Sequence, residues 1–273
     1  MRFWWVLACL VLCFASSARA QVNAETLVEG ITKPGWGGGG KSTFAFSRGN
    51  VELLEVRGDL SSYFATSHPD APPGSDRFWF RDRILAYGSA GLKIVSGERA
   101  ANDGFGHLRY TRMHWLRFGS EVFVQAQYDK FRLLQRRLLF GAGVRVVFAN
   151  YERFRGWCGT GALIEFERRN IAVENQPPLG PDPVNMTNPR SSSYVTLLIP
   201  IVPEYLSVIT TAYVQPRWDK PRDMQILQEA KLQVKVTSHL SLSTDLSVRF
   251  DSRAPQTVER TDIRVGNGVI YGY

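Results

Sequence analysis

Apolar and polar residues alternate along much of this chain. From Leu240 to Asp251 the even positions are Leu240, Leu242, Thr244, Leu246, Val248 and Phe250, and none is charged. The odd positions are Ser241, Ser243, Asp245, Ser247, Arg249 and Asp251, and none is apolar. A period of two is that of a β-strand whose two faces meet different surroundings. Trp115 to Asp129 repeats it, with Leu116, Phe118, Ser120, Val122, Val124, Ala126 and Tyr128 on one side. Arg117, Glu121, Gln125 and Gln127 lie on the other, where Phe123 is the exception. Gln225 to Val236 sets Ala230, Leu232, Val234 and Val236 against Glu229, Lys231, Gln233 and Lys235.

A soluble sandwich also alternates, but its strands average about five or six residues. The runs here continue for about ten or more, the length a tilted strand needs to cross a bilayer. Their polar faces carry charge at mid-strand and their apolar faces almost none, as lipid contact requires. Twelve such segments are predicted: Gly37–Ser47, Val51–Phe64, Arg83–Val95, Gly104–Thr111, Trp115–Tyr128, Arg137–Phe148, Gly156–Arg168, Ser191–Ile199, Tyr205–Trp218, Gln225–Val236, Leu240–Asp251 and Val258–Tyr273. The expected fold is all-β, a transmembrane antiparallel up-and-down barrel of about twelve strands. Connections that follow even-numbered strands should be short and those that follow odd-numbered strands longer. Thr111–His114, Ile201–Glu204 and Thr237–His239 are short, whereas Asp129–Gln135, Asp219–Asp223, Ser252–Thr257 and the Pro- and Asn-rich Asn170–Arg190 are longer. Ala65–Asp82 breaks the rule: either it is an insertion on the short-turn side or the strand count near the N-terminus is wrong.

The N-terminus reads differently. Arg2 precedes an apolar run, Phe3–Phe14, followed by Ser16, Ser17, Ala18, Arg19 and Ala20. A charged start, a short apolar stretch and a small-residue A-x-A site predict a secretory signal cut between Ala20 and Gln21, with Ala18 as the other small residue of the site. A lipid-anchor reading through Cys9 leaves too short an apolar region ahead of it. The expected organisation is a signal at 1–20, a short segment at 21–33 and one barrel domain at 34–273. Of three cysteines only Cys158 follows the signal, so no internal disulfide can hold the fold. Loss of Arg2 and Arg19 takes the net charge from +8 to +6. The charges are spread singly and the chain is exported, which argues against nucleic acid. A lipid bilayer and the anionic lipopolysaccharide of an outer leaflet are the expected surroundings, in the outer membrane of a Gram-negative bacterium.

The C-terminal segment places Ile263, Val265, Asn267, Val269, Tyr271 and Tyr273 on one face. A final strand should pair with the first to remove both edges. Val269, Tyr271 and Tyr273 also resemble the terminal-aromatic signal that outer-membrane barrels present to their assembly machinery. Tyr63, Phe64, Tyr110, Trp115, Tyr128, Phe148, Tyr151, Trp157, Tyr205 and Trp218 gather near segment ends, as in an aromatic girdle, although aromatic residues also favour strands in general.

The middle of the chain supports a family resemblance. Tyr110–Thr111 lead to Trp115, then come Tyr128–Asp129–Lys130–Phe131 and Leu139–Phe140–Gly141–Ala142–Gly143. This order of strand, turn, long strand, Y-x-x-F loop and glycine-alternating strand, with Ser47-Arg48-Gly49-Asn50 upstream, resembles the salt-induced outer membrane protein family. The resemblance implies location and fold, and it carries over no catalytic residue. Ala65–Asp82 and Asn170–Arg190 depart from the family's usual pattern.

Few motifs suggest chemistry. Gly35-Trp36-Gly37-Gly38-Gly39-Gly40-Lys41-Ser42 matches the phosphate-binding P-loop letter for letter. That mechanism needs a buried strand before it and a helix after it. Thr32-Lys33-Pro34 precedes it and alternating Thr43–Ser47 follows, so a glycine-rich first strand is expected instead. His239 and Ser241 have the His-x-Ser spacing of some barrel hydrolases, but they sit at a predicted turn. His68, His107 and His114 lack metal-ligand spacing. No enzyme activity and no cofactor are expected. The residues expected to face the lumen are Arg57, Asp59, Arg117, Glu121, Arg145, Glu165, Glu167, Lys231, Lys235, Asp245 and Arg249. Mixed charges there can pair and occlude the lumen or line a narrow path. The expected function is a structural or narrow small-solute channel role in the envelope, linked to salt or stress through the resemblance. The alternatives are adhesion through 170–190 and lipid modification in the barrel wall.

Overall fold

The computed structural model describes residues 34–47, 53–73, 79–95, 98–129, 134–169, 184–253 and 260–272. The signal-site residues Ala18, Ala20 and Gln21, the terminal Tyr273 and loop 170–183 lie outside the described residues. Twelve strands follow one another: β1 Gly35–Ser47, β2 Leu53–Ser67, β3 Phe80–Val95, β4 Glu98–Met113, β5 Phe118–Asp129, β6 Leu134–Tyr151, β7 Phe154–Arg169, β8 Val184–Val202, β9 Leu206–Pro216, β10 Met224–Lys235, β11 Leu240–Asp251 and β12 Thr261–Gly272. Each pairs antiparallel with its sequence neighbours, and β1 pairs with β12, closing the barrel. The glycine-rich segment is strand β1, and the next described element is strand β2. Closure is what allows a sheet to sit in lipid, because it leaves no free edge.

The alternation sorts the side chains as expected. Val122, Leu138, Phe140, Ile164, Phe166, Val195, Leu232 and Leu242 point outward and are exposed. The opposite positions are buried although many are charged. This inversion, apolar outside and polar inside, is that of a transmembrane barrel. The shortest strand has 11 residues and the longest 19, enough to cross hydrocarbon at a tilt.

One end carries the short turns 114–117, 152–153, 203–205 and 236–239. Connection 68–79 belongs to the same end, so the strand count holds and this segment is an insertion there. Its start is anchored: His68 is buried and its backbone N–H donates to Trp79 O at 2.7 Å. Several expected edges move. Trp115 and Arg117 belong to the turn before β5, where Trp115, His114 and Phe118 pack on one another. Residues 184–190 of the expected Pro-rich loop are strand, extending β8 beyond β9. Pro189 pairs with Ile164 of β7 past the end of β9, and its carbonyl accepts from the Trp218 N–H at 3.1 Å, so the strand loses only the one donor that proline lacks. Exposed aromatic residues stand at both ends, with Tyr128 and Trp218 at the long-loop end. Trp36, Trp115, Tyr151, Tyr205 and Tyr271 are exposed at the short-turn end, whereas Trp157 packs inward against Tyr194, Tyr213 and Leu227.

Candidate functional site: the lumen

The lumen is where this chain concentrates polar chemistry, and its long-loop end holds the densest network. Glu165 of β7 is fully buried between Arg137 of β6, at 2.5 Å, and Arg190 of β8, at 2.6 Å. Arg190 continues to Asp223, donating to its Oδ1 at 3.0 Å, and also to the backbone carbonyl of Gln215 at 3.2 Å. Asp223 takes Arg217 through its other oxygen at 3.3 Å. Beside this run, Arg169 binds Glu167 and reaches Asp251 at 3.1 Å. A buried carboxylate is tolerated only with such partners, since each ion loses several kcal/mol of hydration.

A second cluster lies toward the short turns. Glu121 of β5 accepts from Arg145 of β6 at 3.1 Å and from the Tyr194 hydroxyl of β8 at 2.8 Å, and Arg109 of β4 stands 3.7 Å away. The Arg145 guanidinium lies 4.9 Å over the Trp157 ring, and that of Arg109 lies 5.5 Å over Phe123. Phe123, the apolar exception on the polar face of its strand, is therefore part of an aromatic lining for cations. His107 stacks between Phe105 and Phe123 at 6.2 and 5.9 Å. The row Gly143, Gly161 and Ser192, in register across β6, β7 and β8, leaves a gap of about 20 Å³ beside Arg109 and Tyr194. That is room for about one water.

Several contacts join strands that are not neighbours in the wall, and these must cross the interior. Arg109 of β4 donates to the Tyr213 hydroxyl of β9 at 3.4 Å. Arg137 of β6 donates to Gln225 of β10 at 2.5 Å. Arg169 of β7 reaches Asp251 of β11. With the bond from Tyr194 of β8 to Glu121 of β5, these contacts bridge the lumen among the described residues. The chain's polar face places these groups inside, and the long arginine side chains span the space that shorter residues leave.

A family model described as "Protein of unknown function, DUF481" matches residues 77–273. The chain belongs to the DUF481 family. The matched stretch of this DUF481 chain takes in β3 to β12. Among curated proteins, none matches it in sequence. Its chain is similar to the NanC porin, at 10% identity and a TM-score of 0.45, over 86% of this chain and 98% of the porin. It is also similar to the translocator domain of the autotransporter NalP from Neisseria meningitidis, at 11% identity and a TM-score of 0.45, over 92% of each chain. A third similarity is to the outer membrane channel DcaP of Acinetobacter baumannii, at 10% identity and a TM-score of 0.37, over 88% and 96%. No activity is carried across by these likenesses.

The DUF481 barrel places the lumen residues expected from sequence in three groups. Glu121, Arg145, Glu165 and Glu167 belong to the buried networks above, and Lys231 is buried on the inner face of β10. Arg57, Asp59, Asp245 and Arg249 line the inner face on the other side of the barrel. There Arg57 binds Asp103 at 2.6 Å, Asp59 accepts from the Tyr87 hydroxyl at 2.6 Å, Lys41 binds Asp245, and Arg249 stands 4.0 Å from Glu229. Arg117 does not face the lumen: it lies exposed in the 114–117 turn and uses its carbonyl to accept from the Val147 N–H. Lys235, the last residue of β10, is exposed at the short-turn end. The sequence reading missed Arg109, Arg137, Arg169, Arg190, Asp223 and Asp251. Alternation marks Arg109, Arg137 and Asp251 as inward, whereas Arg169, Arg190 and Asp223 fall at the edge of, or in, connections of the sequence reading; contacts between strands far apart in sequence bring them together. His239 is exposed, with Nδ1 2.8 Å from the Ser238 hydroxyl and its ring stacked on Tyr271, while Ser241 is buried on the inner face. Among the described residues no three His, Cys, Asp or Glu side chains are grouped to hold a metal.

Proposed function

We propose that this chain is an integral outer-membrane barrel that serves the cell envelope as a structural element with a lumen closed to all but the smallest solutes. The observation that carries this reading is the set of cross-lumen contacts from Arg109, Arg137 and Arg169 to Tyr213, Gln225 and Asp251. Guanidinium groups bonded to the opposite wall occupy the path a solute would take, and hydrogen bonds in a buried network hold them there. Export by the N-terminal signal, insertion through the C-terminal aromatic strand and contact with outer-leaflet lipopolysaccharide belong to this reading. So does a salt-linked role, which rests on the family resemblance in the middle of the chain. Planar-bilayer recording of the refolded protein tests it. The wild type should give no wide-pore events, and Arg109→Ala combined with Arg137→Ala should give steps the wild type lacks. Porin-like conductance from the wild type would refute the closed lumen.

A further inference from the structure

Strands β1 and β12 are continuous on their outer sides but meet each other only briefly. β1 pairs with β2 from Gly35↔Ala65 to Ser47↔Leu53, and β12 pairs with β11 from Tyr271↔Leu240 to Thr261↔Phe250. Between β1 and β12, pairing runs from Gly39↔Gly272 to Ser42↔Val269 and, among the described residues, no further. Residues 43–47 and 261–268 therefore part like the arms of a V that opens toward the long-loop end. A cavity of about 330 Å³ sits at this opening, lined by Glu55 and Arg57 of β2, Lys93 of β3, Asp103 of β4, and Asp262 and Arg264 of β12. Residues of β2 and β12 share this cavity across the inner side of β1, next to the stretch where the β1–β12 ladder is absent. Gly266, on the inward-facing register of β12, gives a second sign of space: a Cβ there would meet nothing within 4 Å.

Backbone groups left unpaired in hydrocarbon cost several kcal/mol each, so the V cannot simply face acyl chains. The cavity leaves room for water or a polar group beside the β12 edge. It can take about ten waters at their liquid volume of about 30 Å³. The β12 edge of the seam is apolar on its outer face, where Ile263 and Val265 are 66% and 65% exposed. A charged recess beside an unpaired seam with an apolar outer edge suits a molecule with a polar head and a hydrocarbon tail. The six charged residues are three cations and three anions. Arg57 pairs with Asp103 at 2.6 Å, and Lys93 with Glu55 at 3.5 Å. Such a balanced wall favours a head that carries both signs over a simple anion.

We propose that the β1–β12 seam is a lateral site for a zwitterionic amphiphile, its head in the charged cavity and its chain against Ile263 and Val265. Full-length refolded protein in non-ionic detergent is presented with lysophosphatidylcholine or lysophosphatidylglycerol, and retained lipid is read by native mass spectrometry. One lysophosphatidylcholine per chain is expected, with the anionic lipid held at least about tenfold more weakly. Gly266→Trp, which fills the open space, should lower retention by at least about tenfold while heat-modifiable gel migration shows the barrel folded. In a Cys158→Ser background, Ser42→Cys with Val269→Cys should oxidise readily, because those positions are paired. Ala45→Cys with Gly266→Cys, opposite each other if the same register continued, should oxidise slowly and, once joined, block retention. Equal oxidation of the two pairs would show a zipped seam and overturn the site. So would equal retention of both lipids, or none of lysophosphatidylcholine.

Discussion

The wall from β6 to β8 and the wall around β1 and β12 are built from the same alternating strands, yet they hold together differently. Between β6 and β8 the ladders run almost the full length of each strand, from Leu134↔Arg169 to Tyr151↔Phe154 and from Arg169↔Val184 to Arg155↔Leu198. The side chains inside bond to each other and to the far wall. At β1 and β12 the ladder covers four positions, and ion pairs step over a glycine to find each other. Lys41 reaches Asp245 across β12, where a Cβ at Gly268 would lie 2.3 Å from its Cε. Arg57 reaches Asp103 across β3, where a Cβ at Gly91 would lie 2.6 Å from its guanidinium. Closure of a barrel is thus a property of each seam: one half is sealed by ladder and buried charge together, the other by a short ladder and charge alone.

The largest expected effect lies at the centre of the sealed half. Glu165→Ala leaves Arg137 and Arg190 buried without their carboxylate, and breaking a buried pair on one side costs about 3–5 kcal/mol. Urea unfolding of the refolded barrel in phospholipid vesicles should show that loss. A loss under about 1 kcal/mol would place Glu165 in the range of a solvated surface pair, and the sealed half would not depend on buried charge.

The next test turns on glycine, which occurs in both halves for opposite reasons. At Gly161 a Cβ would come within 2.2 Å of the Ala142 carbonyl and 2.6 Å of the Gly143 Cα, both backbone atoms that can yield only if β6 shifts. Gly161→Val should therefore cost about 1–3 kcal/mol, the usual penalty for overfilling a packed site. Gly266→Val meets open space and should stay within about 0.5 kcal/mol of wild type, like an ordinary surface change. Equal costs measured by the same unfolding experiment would erase the contrast between the two halves.

How far the sequence foretold this contrast follows from what a period of two encodes. Alternation says which face a residue takes, so twelve strands, the inward Glu165 and Arg145 and the outward Leu242 and Val265 were all legible. It does not say which inward residue meets which. Arg137 finds Gln225, 88 positions later, only because the barrel curves back on itself. Alternation also cannot tell how much of a strand is paired. Ile263 to Tyr271 alternates as regularly as any other segment, yet most of that stretch has no partner on β1. Pro189 misled in the other direction: proline reads as loop, but a strand that runs past the end of β9 accepts it, with the Trp218 N–H bonded to its carbonyl. Phe123, an exception in the pattern, was the trace of a cation site.

The smallest expected effect lies outside the membrane-spanning strands, in the turn that follows β9, and it separates pairing inside the barrel from pairing at its rim. Arg217 holds Asp219 through two contacts, at 2.9 and 2.5 Å, and also reaches the buried Asp223. The hydrogen bond from Arg217 keeps the Asp219 carboxyl below its ordinary range, and the same bond raises the guanidinium. A carboxyl depressed in the folded state contributes stability that is present above its unfolded pKa and lost as pH falls through the folded one. Acidification from neutral pH should therefore leave the turn's stability unchanged down to the ordinary carboxylate range and then reduce it progressively as the pH falls on through the depressed pKa of Asp219. Because Asp219 is exposed, salt should weaken the pair. Amide exchange of residues 217–223 as a function of pH and salt checks both expectations. The Glu165 network, shielded from solvent, should ignore the same rise in salt, and if the two respond alike then burial is not what distinguishes them.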